Sequence, residues 1–186
     1  MAVLIVVGVL VLIALWAISA YNSLVRLRNR RQNAFADIDV QLRQRHDLVP
    51  QLVETVKGYA SHEKDLLIRI TEARSAAINA NTIDDKIVAE QKLTSALQGL
   101  KVSVEAYPDL KANQNFLQLQ EELSDIENKL AAARRFFNGA TTEYNNAAEA
   151  FPGNVIAKNF GFKREILFDL GEDTRRQMEQ PPAIKF

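Results

Sequence analysis

Two histidines, His46 and His62, are the imidazoles from which acid–base or metal chemistry would have to be built. Their separation does not put them on adjacent helical turns. His62-Glu63 opens like the helical zinc-protease motif, but the position that should supply the second histidine is Leu66. Paired carboxylates occur at Asp37 and Asp39 and at Asp84 and Asp85. The first pair, two apart on a helix, diverge. The second suits the first turn of a helix, where acids complement its dipole. Phosphate loops and a nucleophile elbow are missing from the Gly and Ser pattern, and the chain has no cysteine. Thiol nucleophiles, disulfides and Cys-ligated metals are therefore excluded. The expectation is a chain with no catalytic residues, no metal site and no cofactor, and so not an enzyme.

Charge points the same way. Among 186 residues, 23 basic and 23 acidic side chains balance to a net charge of zero. A nucleic-acid binder would need a basic excess, so no nucleic-acid partner is expected. Seven Gly and five Pro are too few for an all-β fold with many turns.

The chain is uneven at one end. Residues 2–20 read AVLIVVGVLVLIALWAISA, without a charge. Nineteen helical residues reach about 28 Å, enough to cross the hydrocarbon core. Trp16 and Tyr21 fall where amphipathic rings favour the membrane interface. Arg26, Arg28, Arg30 and Arg31 follow, and nothing basic precedes the run. The positive-inside rule then puts the N-terminus outside and the remaining bulk in the cytoplasm. Those four arginines, with Trp16 and Tyr21, are the expected contacts with lipid headgroups. The reading is a single-pass membrane protein. Two alternatives are a cleaved signal peptide, with small residues near Ala17 and Ser19, and a buried core helix.

Beyond the apolar run the periodicity is helical. Phe35, Ile38, Leu42, Arg45, Val49, Leu52, Val56 and Tyr59 step by three or four through Pro50, which reads as a kink rather than a stop. Residues 57–61 (KGYAS) admit either a turn or a continuing helix, since the phase nearly persists through Leu66, Ile70 and Ala77. Residues 79–85 (NANTIDD) form a connection. A stripe at Leu93, Leu97, Leu100, Val104 and Tyr107 follows, ending before Pro108. The last helix, about 109 to 150, carries Phe116, Leu119, Leu123, Ile126, Leu130, Ala133, Phe137, Ala140, Tyr144, Ala147 and Phe151. Such a stripe means burial against other long helices, and the first and last helices match in length as antiparallel partners. The fold class is all-α, one transmembrane helix and then an up-and-down bundle of about four long helices with coiled-coil-like stripes. The organisation is residues 1–21 spanning the membrane, 22–151 the bundle, and 152–186 a tail, amphipathic and then flexible.

Arg45 is the charged residue on the first stripe. Buried, it needs a carboxylate from another helix, with Glu63, Glu121, Glu122 and Glu127 at hand; otherwise it snorkels outward. In the tail, Phe160, Phe162, Lys163 and Arg164 mix apolar bulk with positive charge. They suit either the membrane interface or a cover over the end of the bundle.

Residues 21–63 (YNSLVRLRNRRQNAFADIDVQLRQRHDLVPQLVETVKGYASHE), 107–138 (YPDLKANQNFLQLQEELSDIENKLAAARRFFN) and 141–162 (TTEYNNAAEAFPGNVIAKNFGF) resemble the signatures of the LemA family of bacterial membrane proteins. The resemblance runs over about residues 2–168, leaving 171–186 beyond the pattern. It implies a membrane helix followed by a bundle similar to a four-helix one, with a turn at 58–61. The family is also similar to a magnetosome-associated group. The resemblance implies no enzymatic activity.

Three functions fit these features to different degrees. The first is a non-enzymatic membrane-anchored scaffold or adaptor, binding an unknown protein partner or itself through bundle and tail. The second is a self-assembling, membrane-remodelling homo-oligomer, favoured by the apolar Val40, Leu48 and Val53 beside the main stripe. The third is an enzyme of unknown type, which would need a polar pocket that tight helical packing seldom leaves.

Overall fold

A computed structural model describes residues 1–60 and 63–169. The described residues are helical, with no strand. Helix α1 spans Ala2–Lys57, α2 Lys64–Asn79, α3 Ile83–Val104, α4 Pro108–Lys111, α5 Gln114–Glu149 and α6 Gly153–Phe160. They fall into two compact units. Of the described residues, one comprises 1–38 and 132–167, the other 39–131 with 168 and 169. Both α1 and α5 contribute a segment to each.

The helix ends have local causes. Pro50 lies inside α1, which continues through it. After Lys57 the chain turns at Gly58-Tyr59, with the Tyr59 and Ala60 amides both on the Val56 carbonyl at 3.0 and 2.8 Å. The helix thus breaks at 58–60 rather than running on as a rod. Thr82 caps α3 by accepting from the Asp85 amide at 3.1 Å, with Asp84 and Asp85 in the first turn as their charge requires. The last long helix begins later than periodicity suggests. Pro108 starts the short α4, and Asn113 then caps α5 by accepting from the Phe116 amide at 3.0 Å.

The first unit packs α1 antiparallel to the last part of α5. Arg30 meets Glu143, Phe35 meets Phe137, and Leu24 shares a cluster with Tyr144 and Ala148. Of the apolar residues 2–20, only Ala17 and Ala20, at the last turn, touch this core, and neither is buried. The charge-free window of α1 has no buried residue, so it is not a core helix of this chain. Helix α6 returns against its end, with Ile156, Ala157 and Phe162 clustering with Ala17, Ala20 and Leu24. Gly153 permits the reversal, because a Cβ there would stand 2.4 Å from the Ala147 carbonyl oxygen. Gly161, at φ 73°, ends α6 in the left-handed conformation that glycine adopts without strain.

The second unit buries Val49, Leu52 and Val56 of α1 with Leu67 and Ile70 of α2, Leu93, Leu97 and Leu100 of α3, Leu110 of α4, and Phe116 and Leu119 of α5. The α5 stripe holds for most of its length. Leu123 is only partly buried, and Phe151 is 83% exposed. The helix ends at Glu149, so Phe151 has left its phase, and Ala148 takes the last inward position.

Candidate functional site

Polar groups inside the second unit converge on Arg45. Its side chain is 3% exposed, and it does not snorkel. Its Nη1 faces Glu90 Oε2 at 3.4 Å, and its Nη2 faces Glu127 Oε1 at 3.1 Å while donating to Thr94 Oγ1 at 2.8 Å. Of the four carboxylates suggested by sequence, Glu127 is the partner. Glu121 and Glu122 are exposed, and Glu63 accepts from the Tyr107 hydroxyl. Glu90, the more deeply buried carboxylate, escaped the sequence reading. Its other oxygen meets His46 Nε2 at 2.5 Å. A buried carboxylate is retained at tolerable cost only when both oxygens are engaged, as here. His62 lies outside the described residues.

Pro50 extends the network. Lacking an N–H, it leaves the His46 carbonyl four residues earlier without its helical donor. Arg74 of α2 supplies the replacement, its Nε donating to that carbonyl at 2.7 Å. The proline in a helical pattern was the available signal, since it predicts an acceptor in search of a donor.

Asp39, on the same stretch of α1, accepts from Lys86 Nζ and from Arg43 Nε and Nη2. Burial works to raise its pKa, but the Lys86 and Arg43 hydrogen bonds and charges outweigh it, holding the carboxyl below its ordinary value of 3.8. A carboxylate with a depressed folded-state pKa contributes stability that is present above its unfolded value and lost as pH falls through the folded one. Asp39→Asn is therefore expected to destabilise the chain at neutral pH. The gap from wild type should close in acid, once both pKa values have been crossed. Denaturant melts of both proteins from pH 7 down to the acid limit check this; a gap independent of pH contradicts it. Asp37 is exposed, and the carboxylates of the network are spent on internal cations.

The second unit also carries an open groove between α2 and α3. It measures about 810 Å³ and is floored by Leu66, Ala73, Ala76, Val88, Ala96 and Gly99, with Arg69, Glu72 and Lys92 along it. Small side chains keep the floor low while charges mark its edge. Of the residues expected to make surplus apolar surface, Val40 is 53% exposed, whereas Leu48 and Val53 pack on the core.

In the first unit, the expected headgroup contacts divide. Trp16, Tyr21, Arg26, Arg28 and Arg30 are not buried. Arg30 pairs with Glu143 at 2.5 Å, and the Arg28 guanidinium lies 5.3 Å from the Phe162 ring centre. Arg31 instead faces inward. It is 4% exposed, bonds Glu165 at 3.0 Å and covers the Phe137 ring at 5.0 Å. It lies between α1 and the returning chain, which removes it from lipid. Phe162 is likewise a core residue, 9% exposed, whereas Phe160, Lys163 and Arg164 are exposed, Arg164 pairing with Glu149. Tyr144 and Asn145 hold the segment after α6. The Tyr144 hydroxyl donates to the Lys163 carbonyl, and the Asn145 amide both donates to and accepts from the Glu165 backbone, each bond 2.9 Å long. Burial, then the nearby Glu165 charge, raises the Tyr144 pKa, so its hydroxyl stays a donor.

The sequence pattern of the LemA family matches residues 34–186. The chain belongs to the LemA family. The match includes residues 171–186, which the motif comparison had left outside. Protein LemA of Metamycoplasma hominis is 28% identical over 155 residues, covering 83% of this chain and 71% of that protein. The magnetosome protein MamQ of Magnetospirillum gryphiswaldense is 23% identical over 174 residues, 80% of this chain but only 64% of the relative. MamQ 2 of Paramagnetospirillum magneticum is 23% identical over 193 residues, 89% and 71% of the two chains. Membership of the LemA family, with the exposed apolar stretch of α1, supports a membrane-associated protein.

Proposed function

We propose that this LemA-family chain is a non-enzymatic scaffold held in the bacterial inner membrane by a single N-terminal span. Its partner is a protein helix laid into the α2–α3 groove. The groove carries the reading, because an open apolar trough with charged edges offers what helix-in-groove recognition needs. The inward charges of the second unit support it too, since they answer one another rather than a substrate. A photo-crosslinking residue at Ala76, in native membranes, is expected to give one discrete heterologous adduct. Ala96→Arg, which blocks the groove, should abolish that adduct without altering the helical spectrum. Adducts with copies of this chain alone would favour the self-assembling oligomer instead. Adducts unaffected by Ala96→Arg would refute the groove as the docking site.

The orientation proposed is N-terminus outside and helical units in the cytoplasm, because Arg26, Arg28 and Arg30 all follow the span. A cysteine at Ala2 in intact spheroplasts is expected to react with an impermeant thiol reagent, and one at exposed Lys101 only after lysis. The reverse pattern would overturn the orientation.

A further inference from the structure

We propose that α6, with Phe151 before it and Lys163 after it, is an interfacial helix that seats in the headgroup layer of an anionic leaflet. The inference rests on the reading of residues 2–20 as a membrane span and deepens it. Depth is fixed by contact. Ile156, Ala157 and Phe162 pack with Ala17 and Ala20, the last turn of the apolar stretch, and Phe160 stacks edge-on against Tyr21 with ring centres 4.9 Å apart. A helix held against the final turn of a span lies at the boundary between hydrocarbon and headgroups.

What α6 leaves outward suits that depth. Its inner face is consumed by the core, yet Phe151 is 83% exposed, Phe160 62% and Val155 48%. Through the Phe160–Tyr21 contact this exposed apolar surface meets the end of the span, so the bilayer that takes the span is what covers it. The same stretch is basic. Between Glu149 and Glu165 the chain has Lys158, Lys163 and Arg164 and no acid. Arg164 is engaged by Glu149, which leaves Lys158 and Lys163 exposed, and Arg28 of α1 lies against Phe162, the residue before Lys163. Apolar insertion combined with attraction to anionic headgroups is the signature of an interfacial helix. Phe162 has a different part: by filling the core beneath Tyr21 and Arg28, it holds α6 in place.

The test uses the full chain reconstituted in phosphatidylcholine vesicles with and without phosphatidylglycerol. Trp16, the only tryptophan, is replaced by Phe, and Phe160→Trp, or Val102→Trp as a control on exposed α3, supplies the probe. Emission from the Phe160→Trp chain is expected to be blue-shifted and quenched several-fold by lipids brominated near the headgroup end of the acyl chain. Quenching should strengthen with phosphatidylglycerol, and Lys158→Glu with Lys163→Glu should cancel that gain. The Val102→Trp chain should stay unquenched. A chain released by alkaline carbonate would overturn the span and the interfacial helix together. A Phe160→Trp chain that resists carbonate but is not quenched would overturn the interfacial helix alone. A blue shift that persists in detergent and rises with protein concentration, without lipid quenching, would assign the surface to a second copy and refute the proposal.

Discussion

Glu90→Ala is expected to lower the stability of the folded chain by about 3–5 kcal/mol, the usual cost of breaking a buried ion pair from one side. Glu90 is 2% exposed and serves two partners at once, Arg45 through one oxygen and His46 through the other. Without it, the guanidinium keeps Thr94 and the half-buried Glu127, and its Nε, already without a hydrogen-bond partner among the described residues, remains in the interior. The loss comes mostly from stranding that charge, not from the worth of the pair. An apolar replacement of both partners, Arg45→Met with Glu90→Leu, is therefore expected to recover much of it. Denaturant unfolding of the full chain in detergent micelles, followed by helical circular dichroism, measures both. Glu122→Ala, on the surface, should stay within about 0.5 kcal/mol of wild type. If it cost as much as Glu90→Ala, burial would not be the cause.

Phe137→Ala is expected to cost about 3–5 kcal/mol, by lost transfer energy and the cavity left behind. Its neighbour Phe136→Ala should change little, within about 0.5 kcal/mol. The two rings adjoin in sequence, but Phe137 is fully buried while Phe136 is 53% exposed. Phe137 meets Phe35 edge-on at 5.6 Å between ring centres and lies under the Arg31 guanidinium. Truncation would thus remove an aromatic pair and one side of the lining around a buried cation. The same micelle-based unfolding compares them. Similar midpoints for the two variants would mean that the inward phase of α5 had been misassigned.

That phase was legible in the sequence because α5 is long. Ten turns of repeating apolar residues leave little freedom in which side faces inward, and Phe116, Ile126, Leu130, Phe137 and Tyr144 are all buried. The Asn79–Asp85 connection was legible through side chains that cap. Helices α4 and α6, of 4 and 8 residues, were not, because one or two turns cannot display a period. The tail of alternating apolar and basic residues gave no sign that Phe162 would be core and Phe160 outward. That choice is made by Tyr21 and Leu24, far away in sequence. Arg31 was grouped with its exposed neighbours for the same reason, its partner Glu165 lying at the far end of the chain. Glu90 could have been found. It stands between Ile87 and Leu93 at steps of three, a charge on an apolar stripe just as Arg45 is, and two opposite charges so placed call for each other.

Two helices with repeating apolar stripes can slide past each other by a turn, about 5.4 Å, and still bury similar surface. An uninterrupted helix wall offers little to stop them, because its peptide groups are satisfied within it. Pro50 cuts a notch in the wall of α1. The missing amide hydrogen exposes one carbonyl, at His46, and Arg74 of α2 is the pawl that drops into it. A slip of one turn would empty the notch and strand the pawl, so the missing hydrogen discriminates between alignments that apolar packing alone leaves nearly equal. Pro50→Ala, by refilling the notch, would make α1 a better helix in isolation and α1 with α2 a less decided pair.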